Sequence, residues 1–271
     1  MYIFAVGPDT MNESYLKCEK HQNVQCIMHI HYCMELVYVY SGELIMNVNG
    51  IDRVIKGGQA TLMLPFEQHS FFTPKACECV VVEFSPYLVK EFFEKIKSKR
   101  LKNTVFTFDG GVIGFCDRYM ADKAGGEFAA KAAIYPLCYE VMRNCEFLDN
   151  GKVLDDTFVD AVRYICQNYK NEEVTLNEVA KEIGVHPVYL SQVFSKNAGM
   201  SFKKYLNLLR CNAAARGLKK NKEKTVSEIA FECGFGSIRN FNRQFAELFG
   251  ISPVNYRQKE AFFSEGNTKT V

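Results

Sequence analysis

The second half of this chain repeats itself, and the repeat dictates what that half can fold into. At an offset of 50 to 51 residues, Thr175-Leu176-Asn177-Glu178-Val179-Ala180 matches Thr225-Val226-Ser227-Glu228-Ile229-Ala230, and Ile183-Gly184-Val185 matches Cys233-Gly234-Phe235. Leu190 and Phe194 then match Phe241 and Phe245, and Gly199-Met200-Ser201 with Tyr205 matches Gly250-Ile251-Ser252 with Tyr256. Landmarks kept in register mean that one supersecondary unit is built twice. Thr175 and Thr225, each followed three residues later by Glu, predict capping boxes, in which the hydroxyl takes an orphan helix amide and the Glu reaches back to the cap. Ala180 and Ala230 let a second helix cross closely, and Gly184 and Gly234 can take the left-handed conformation that ends a helix. A further helix follows within a few residues, which is the helix-turn-helix arrangement.

The helices after these turns are the candidate readers. Pro187 to Lys196 buries Leu190, Val193 and Phe194 and leaves Val188, Tyr189, Ser191, Gln192 and Lys196 on its other faces. Ser237 to Glu247 buries Phe241 and Phe245 and leaves Arg239, Asn240, Asn242, Arg243 and Gln244. Arg and Asn suit bidentate contacts to guanine and adenine edges, whereas Ser, Gln and Lys more often fix phosphates or make single base contacts. On an isolated helix Arg239 and Arg243 would read as solvated charges; within a tandem repeat they read as base contacts. Residues 202 to 220 predict one continuous helix with Tyr205, Leu206, Leu209, Ala213 and Leu218 as its apolar stripe. Such a rigid spacer would set the two readers in successive major-groove segments roughly 34 Å apart. Lys219, Lys220, Lys222 and Lys224 lie just before the second cap and can hold phosphates without reading sequence. Phosphate contacts are assigned to Thr175, Lys196, Lys219, Lys220, Thr225 and Asn240.

Charge supports the division. The 271 residues carry a net charge of only +2, which alone argues against a polyanionic partner. Residues 1–150, however, carry −3 and residues 151–271 carry +5, and residues 175–259 alone reach +8. The half with the repeat is the half that can meet nucleic acid.

Gly234-Phe235 through Asn240-Phe241-x-Arg243-x-Phe245, then Gly250-Ile251-Ser252-Pro253-x-x-Tyr256-Arg257, resembles the signature of the AraC/XylS family of bacterial transcription regulators. Tyr189-Leu190-Ser191-x-x-Phe194 with Gly199-x-Ser201-Phe202-x-x-Tyr205 resembles the first unit of the same family, and the resemblance spans about residues 157–259. It implies a seven-helix DNA-binding domain whose readers contact bases through Val188, Ser191 and Gln192 in the first unit and Ile238, Arg239, Asn242 and Arg243 in the second. Two positions depart from the pattern: His186 stands where the family more often has a small capping residue such as Ser, and Val188 is an apolar reader.

The first half reads differently. Cys26 to Tyr40, Glu43 to Val48, Ile51 to Ile55, Ala60 to Leu64 and Cys77 to Phe84 predict short strands, with Ser41-Gly42, Asn49-Gly50 and Gly57-Gly58 as turns. This spacing suggests a small antiparallel barrel or sandwich. Two helices follow, Tyr87 to Lys99 and Ala129 to Phe147, which would pack on the barrel or on a second subunit. Cys145 to Asp155, with Asn150-Gly151, is the expected linker, so residues 1–150 form a sensing and dimerisation domain and 151–271 a DNA-binding one. The expected fold class is α+β in two domains: a cupin-like antiparallel β-barrel with following helices, then an all-α domain with two helix-turn-helix units joined by a long helix.

His29-x-His31-x-x-x-Glu35, followed by six residues and Gly42, has the spacing of the first cupin motif. On one strand residues 29, 31, 33 and 35 share a face, which would point two imidazoles, a thiol and a carboxylate into one interior. His69 falls near where the second cupin motif supplies its third His, but only three residues separate it from Pro65 where the full motif has four with an internal Gly. Sensor halves of AraC/XylS regulators resemble cupins and often keep part of this His set while binding sugars or other small molecules. His29, His31, Glu35, Tyr38 and His69 are therefore read as the ligand-binding set, with Tyr38 or Tyr40 as stacking platforms, and a divalent metal on His29, His31, Glu35 and His69 is the alternative.

The expected function is that of a ligand-responsive, sequence-specific transcription regulator, an activator of a sugar or other small-molecule catabolic operon. Its partners would be double-stranded DNA, a small-molecule effector such as a carbohydrate, a second copy of the chain and, for an activator, RNA polymerase. No cofactor, catalytic residue or membrane partner is expected, and the location is cytoplasmic. The eleven cysteines, without a Cys-x-x-Cys pair, fit buried thiols in a reducing compartment. Two other classes fit parts of the sequence: a metal-dependent cupin enzyme with a helical appendage, and an architectural DNA-binding protein.

Overall fold

The computed structural model describes residues 13–122, 125–149 and 155–258. The chain divides into two compact units, with the change between Leu154 and Asp155. Asn150-Gly151 of the expected linker lie outside the described residues.

The first unit is built on two antiparallel sheets. Strands β1 (Leu16–Gln22), β8 (Glu78–Phe84), β3 (Met34–Ser41), β6 (Gln59–Met63) and β10 (Phe106–Thr107) lie side by side in one. The other runs β2 (Gln25–His29), β7 (His69–Phe72), β4 (Glu43–Val48), β5 (Ile51–Lys56). A short pair, β9 (Lys99–Leu101) with β11 (Phe147–Asp149), stands apart from both. The expected barrel is thus two sheets enclosing a shared core of Val37, Val39, Leu44, Met46, Ile55, Met63, Phe71, Cys79 and Val81. Alternate residues of the larger sheet, Met34, Leu36, Tyr38, Leu62, Val80, Val82 and Phe84, face a second core. That second core is closed by α1 (Lys90–Ile96), α2 (Ile113–Asp122) and α3 (Gly126–Asn144). With both faces covered, β3 and β8 read as nearly unbroken apolar runs.

The Asn49-Gly50 turn closes the β4–β5 hairpin, with Val48 opposite Ile51. Both turn residues have positive φ, 51° and 85°, the combination that matches hairpin twist. One expected strand, Cys26 to Tyr40, is in fact two. Residues 30–33 break it, so β2 joins the smaller sheet and β3 the larger. The charged edge strand β1, LKCEKHQ, carries too little alternation to predict; it is fixed by pairing with β8 along its whole length. Helix α3 buries Ala130, Ala133, Ile134, Leu137, Cys138 and Val141 against its own unit. Of the two expected uses of this stripe, packing on the barrel or on a second subunit, it serves the first, and the large apolar side chains α3 leaves exposed are Phe128, Tyr139 and Met142.

The second unit is helical: α4 (Asp156–Asn168), α5 (Leu176–Glu182), α6 (Pro187–Ala198), α7 (Phe202–Lys220), α8 (Val226–Glu232) and α9 (Ile238–Phe249). Residues 253–258 are also helical, up to the edge of the described segment. Helix α7 has the bounds expected of the spacer, but not its one-sided stripe. Lying between the two helix-turn-helix units and packed on α6, α8 and α9, it buries Asn207, Leu208, Arg210, Cys211 and Asn212 as well as Tyr205, Leu206 and Leu209, while Ala213 is half-buried. The buried Arg210 guanidinium is satisfied by the carbonyls of Tyr169 and Asn171, at 2.8 and 2.7 Å. Each helix-turn-helix has its own aromatic core: Phe158, Phe194, Phe202 and Tyr205 at the first, Phe235, Phe241, Phe245, Phe249 and Tyr256 at the second.

Candidate nucleic-acid interface and buried polar cluster

The repeated landmarks act as the sequence requires. The Thr225 hydroxyl accepts the Glu228 amide at 3.2 Å while the Glu228 carboxylate accepts the Thr225 amide at 2.7 Å, a complete capping box that holds the carboxyl below its usual range. Thr175 caps α5 in the same way through the Glu178 amide, but the Glu178 carboxylate instead accepts the Tyr164 hydroxyl at 3.0 Å. The first box is therefore half made. Gly184 and Gly234 both adopt positive φ, 74° and 86°, and Val185 and Phe235 return their amides to the Ala180 and Ala230 carbonyls.

The readers start at equivalent caps. Ser237 caps α9 by accepting the Asn240 amide at 3.3 Å; at the matching place His186 Nδ1 accepts the Val188 amide at 3.3 Å. The imidazole thus does the work of the small residue it replaces. Each reader ends on a left-handed glycine, Gly199 or Gly250.

Leu190, Val193, Phe194, Phe241 and Phe245 are buried as expected from helical spacing. Val188, Ser191 and Gln192 are exposed on α6, Arg239, Asn242 and Arg243 on α9, and Ile238 is half-buried. Tyr189 is also exposed beside Val188, giving the first reader an apolar edge. Arg243 donates to the Asn240 side chain at 3.1 Å and lies 4.0 Å from Glu247, so Asn240 orders a neighbouring arginine. Thr175, Lys196, Lys220 and Thr225 are exposed; Lys219 lies over the Tyr256 ring at 5.6 Å. Sequence reasoning left out Asn207, a buried amide on the spacer that bonds Gln244 of the second reader at 3.0 Å. It lies across the helix from the Tyr205, Leu206 and Leu209 stripe, so helical spacing gave no signal for it.

In the first unit His29, His31, Glu35 and His69 converge, their ligand-type atoms all within 4.8 Å of one another. They are 5%, 3%, 2% and 0% exposed, which seals the group from water. His29 and His69 are register partners across β2 and β7, Glu35 comes from β3 in the other sheet, and His31 comes from the break between them. Glu35 Oε2 lies 3.1 Å from His31 Nε2 and 4.0 Å from His29 Nε2, and Oε1 lies 3.6 Å from His69 Nε2. Burial alone would raise the Glu35 carboxyl, but the three imidazoles around it hold it well below its usual range. Burial pulls His29 down, yet Cys26 and Glu35 lift it to about 11, while burial keeps His69 low.

His69 arrives despite the shortened turn after Pro65 because Phe66 takes the left-handed conformation, φ 61°, that a glycine would supply. Sequence reasoning also missed the groups behind the cluster: Cys26 Sγ lies 3.4 Å from His29 Nδ1, and the Glu67 carbonyl is 2.8 Å from His69 Nδ1. Tyr38 does not join. On β3 it has the opposite parity to Glu35, and its ring packs against Tyr40 and Phe108 under the helices, so neither tyrosine offers a platform to this cluster.

A helix-turn-helix domain model matches residues 179–259. The HTH-type transcriptional regulator YtdP of Bacillus subtilis is 35% identical over 101 residues, 37% of this chain. The chain spans 13% of the length of YtdP and 40% of YesN, a transcriptional regulatory protein of the same organism. The HTH-type transcriptional activator RhaS of Salmonella paratyphi B is 24% identical over 243 residues, covering 85% of this chain and 87% of RhaS. Among solved structures, ToxT from Vibrio cholerae superposes with a TM-score of 0.60 at 11% identity, over 89% of this chain and 97% of ToxT, a likeness of fold.

Proposed function

We propose, for a chain that belongs to the AraC/XylS family of transcription regulators, that α6 and α9 read adjacent segments of one DNA site while the two-sheet unit binds a small effector that changes that reading. The observation that carries this is the pair of capped helices with exposed base-reading side chains, in the segment of net charge +8. Arg239, Asn242 and Arg243 read bases by bidentate contacts, and Val188, Ser191 and Gln192 contact the other segment. Thr175, Thr225, Lys196, Lys219 and Lys220 hold phosphates, and Asn240 orients Arg243. Residues 1–150 sense and dimerise and 151–271 bind DNA, in the cytoplasm. No helix among the described residues is long and apolar enough to cross a membrane. Exposed Phe128, Tyr139 and Met142 on α3 supply apolar surface for pairing with a second copy. Activation through RNA polymerase follows the precedent of RhaS, which is named an activator.

The effector of this reading is small. Crystals of ToxT bound to an unsaturated fatty acid mean that the fold can take an organic ligand. A sugar touching His29, His31, Glu35 and His69 would, however, have to part the two sheets, since these side chains fill the space between them. The enzyme alternative meets the same obstacle, for a substrate needs access to the same sealed group. The test is selection of genomic fragments bound by the full chain in cells, followed by binding of purified protein to the enriched sequence. A shared motif with two half-sites supports the reading; binding without sequence preference at physiological salt rejects it in favour of an architectural role.

A further inference from the structure

The buried cluster keeps two polar atoms that hydrogen bonds within the protein do not satisfy. His31 Nδ1 is 2.9 Å from the Cys33 carbonyl and His69 Nδ1 is 2.8 Å from the Glu67 carbonyl. A backbone carbonyl only accepts, so His69 keeps a proton on Nδ1 and turns inward an Nε2 that has no hydrogen-bond partner. That nitrogen faces a carboxylate oxygen, Glu35 Oε1 at 3.6 Å, while Glu35 Oε2 is bonded to His31 Nε2 at 3.1 Å. Acceptor then faces acceptor inside a sealed core. Glu35 Oε1 and His69 Nε2 are both buried with no hydrogen-bond partner. Leaving such groups uncompensated costs several kcal/mol, and a cation between them removes the cost.

We propose that His29, His31, Glu35 and His69 hold one divalent first-row transition-metal ion, and that this ion is the class of effector the sensing unit reads. Three imidazoles and one carboxylate are the donors such ions favour, whereas calcium and magnesium call for oxygen ligands in larger number. Ligand atoms about 2.0–2.2 Å from one ion at a tetrahedral centre lie about 3.3–3.6 Å apart. The observed spread, within 4.8 Å, closes to that by side-chain shifts of about 1 Å. The outer partners suit the role: carbonyls behind His31 and His69 and the Cys26 thiol 3.4 Å behind His29 fix each ring. Four protein ligands without solvent access make a closed site, the kind that holds structure or senses, not one that turns over substrate. Because Glu35 belongs to one sheet and His29 and His69 to the other, the ion ties the two sheets together, and its binding is coupled to the packing of the unit.

The role as effector rests on the regulator reading; the site itself does not. Full-length protein is stripped with a chelator and titrated with zinc alone under reducing conditions, then with cobalt for its visible spectrum. We expect one ion per chain, a cobalt spectrum without a thiolate charge-transfer band, and a more than about 100-fold loss of affinity in Glu35→Gln, since even outer-shell changes cost 10–100-fold. His69→Ala should lose the ion, and His21→Ala, at a half-buried histidine outside the cluster, should keep it. Zinc should also change affinity for the enriched DNA site several-fold in the parent and not in Glu35→Gln. Absence of a bound ion, a thiolate band, retention of the ion by both cluster variants, or an ion that leaves DNA affinity unchanged overturns the proposal. The cobalt spectrum needs no variant, so a misfolded substitution does not blunt the test. A protein that takes the ion but selects no DNA sequence fails the regulator reading and keeps the site.

Discussion

The two helix-turn-helix units share a scaffold and differ in what they present. Both have a threonine cap, a buried alanine at the crossing, a left-handed glycine and a reader ended by another left-handed glycine. The second presents Arg239, Asn242 and Arg243; the first presents Val188, Tyr189, Ser191 and Gln192, with no arginine. The second also has the complete capping box, while the first spends Glu178 on Tyr164. What repeats is therefore what builds the turn, and what varies is what faces outward. On the proposed reading, the difference would give discrimination between sequences chiefly to α9, and to α6 an apolar and single-bond contact that tolerates more variation.

The sharpest way to break this comparison is through its shared glycines. A Cβ at Gly234 would lie 2.3 Å from the Tyr169 carbonyl and 2.9 Å from Arg210 Nε, whereas one at Gly184 would meet nothing within 4 Å. Gly184→Ala should cost only the left-handed penalty, about 1–2 kcal/mol. Gly234→Ala adds a clash with backbone and a displaced Arg210, and should cost about 3 kcal/mol or more. Urea unfolding of both variants decides it; equal losses would mean that the second turn is no more constrained than the first. Next in size are the readers. Arg243→Ala should weaken the selected site by about 1–3 kcal/mol and relax discrimination at one base, with Arg239→Ala behaving alike and Gln192→Ala losing less. Binding to single-base variants of the site measures this, and a larger loss from Gln192→Ala would invert the assignment.

Caps give a smaller contrast. Thr225→Ala removes an acceptor and also the hydroxyl to which Glu228 is bonded at 2.7 Å, whereas Thr175→Ala leaves Glu178 on Tyr164. Both should cost about 1 kcal/mol in thermal or urea unfolding, with Thr225→Ala the larger.

The helical half was legible because its constraints are local: capping, periodicity and turn glycines act within a few residues, so α7 is found at the bounds that sequence alone gives. Its burial on all sides was not legible, since that depends on which helices surround it. In the sheet half β4, β5, β6 and β8 follow local turn signals, while β1, β7 and the break at residues 30–33 depend on partners far along the chain. The cluster residues His29, His31, Glu35 and His69 were named from spacing, but their convergence does not come from one strand face. It comes from a register pair in one sheet, a strand in the other and a left-handed Phe66. Tyr38 faces away from the cluster because it has the opposite parity to Glu35 on β3, a relation the sequence itself carries.

The smallest effect tests whether the lysines before the second unit do no more than hold the backbone. Lys220 ends α7 exposed, two residues before Lys222 and ahead of the Thr225 cap. A contact to one phosphate releases one condensed counterion's worth of binding free energy and carries no sequence information. Lys220→Ala should therefore reduce the slope of log affinity against log salt by about 0.9, weakening the selected site and random duplex by the same factor. The comparison is with Arg243→Ala, which should spare random duplex and change affinity for the selected site alone. If Lys220→Ala also altered preference at one base pair, the Lys219–Lys220 end of the spacer would have to enter a groove, and base reading would no longer belong to α6 and α9 alone.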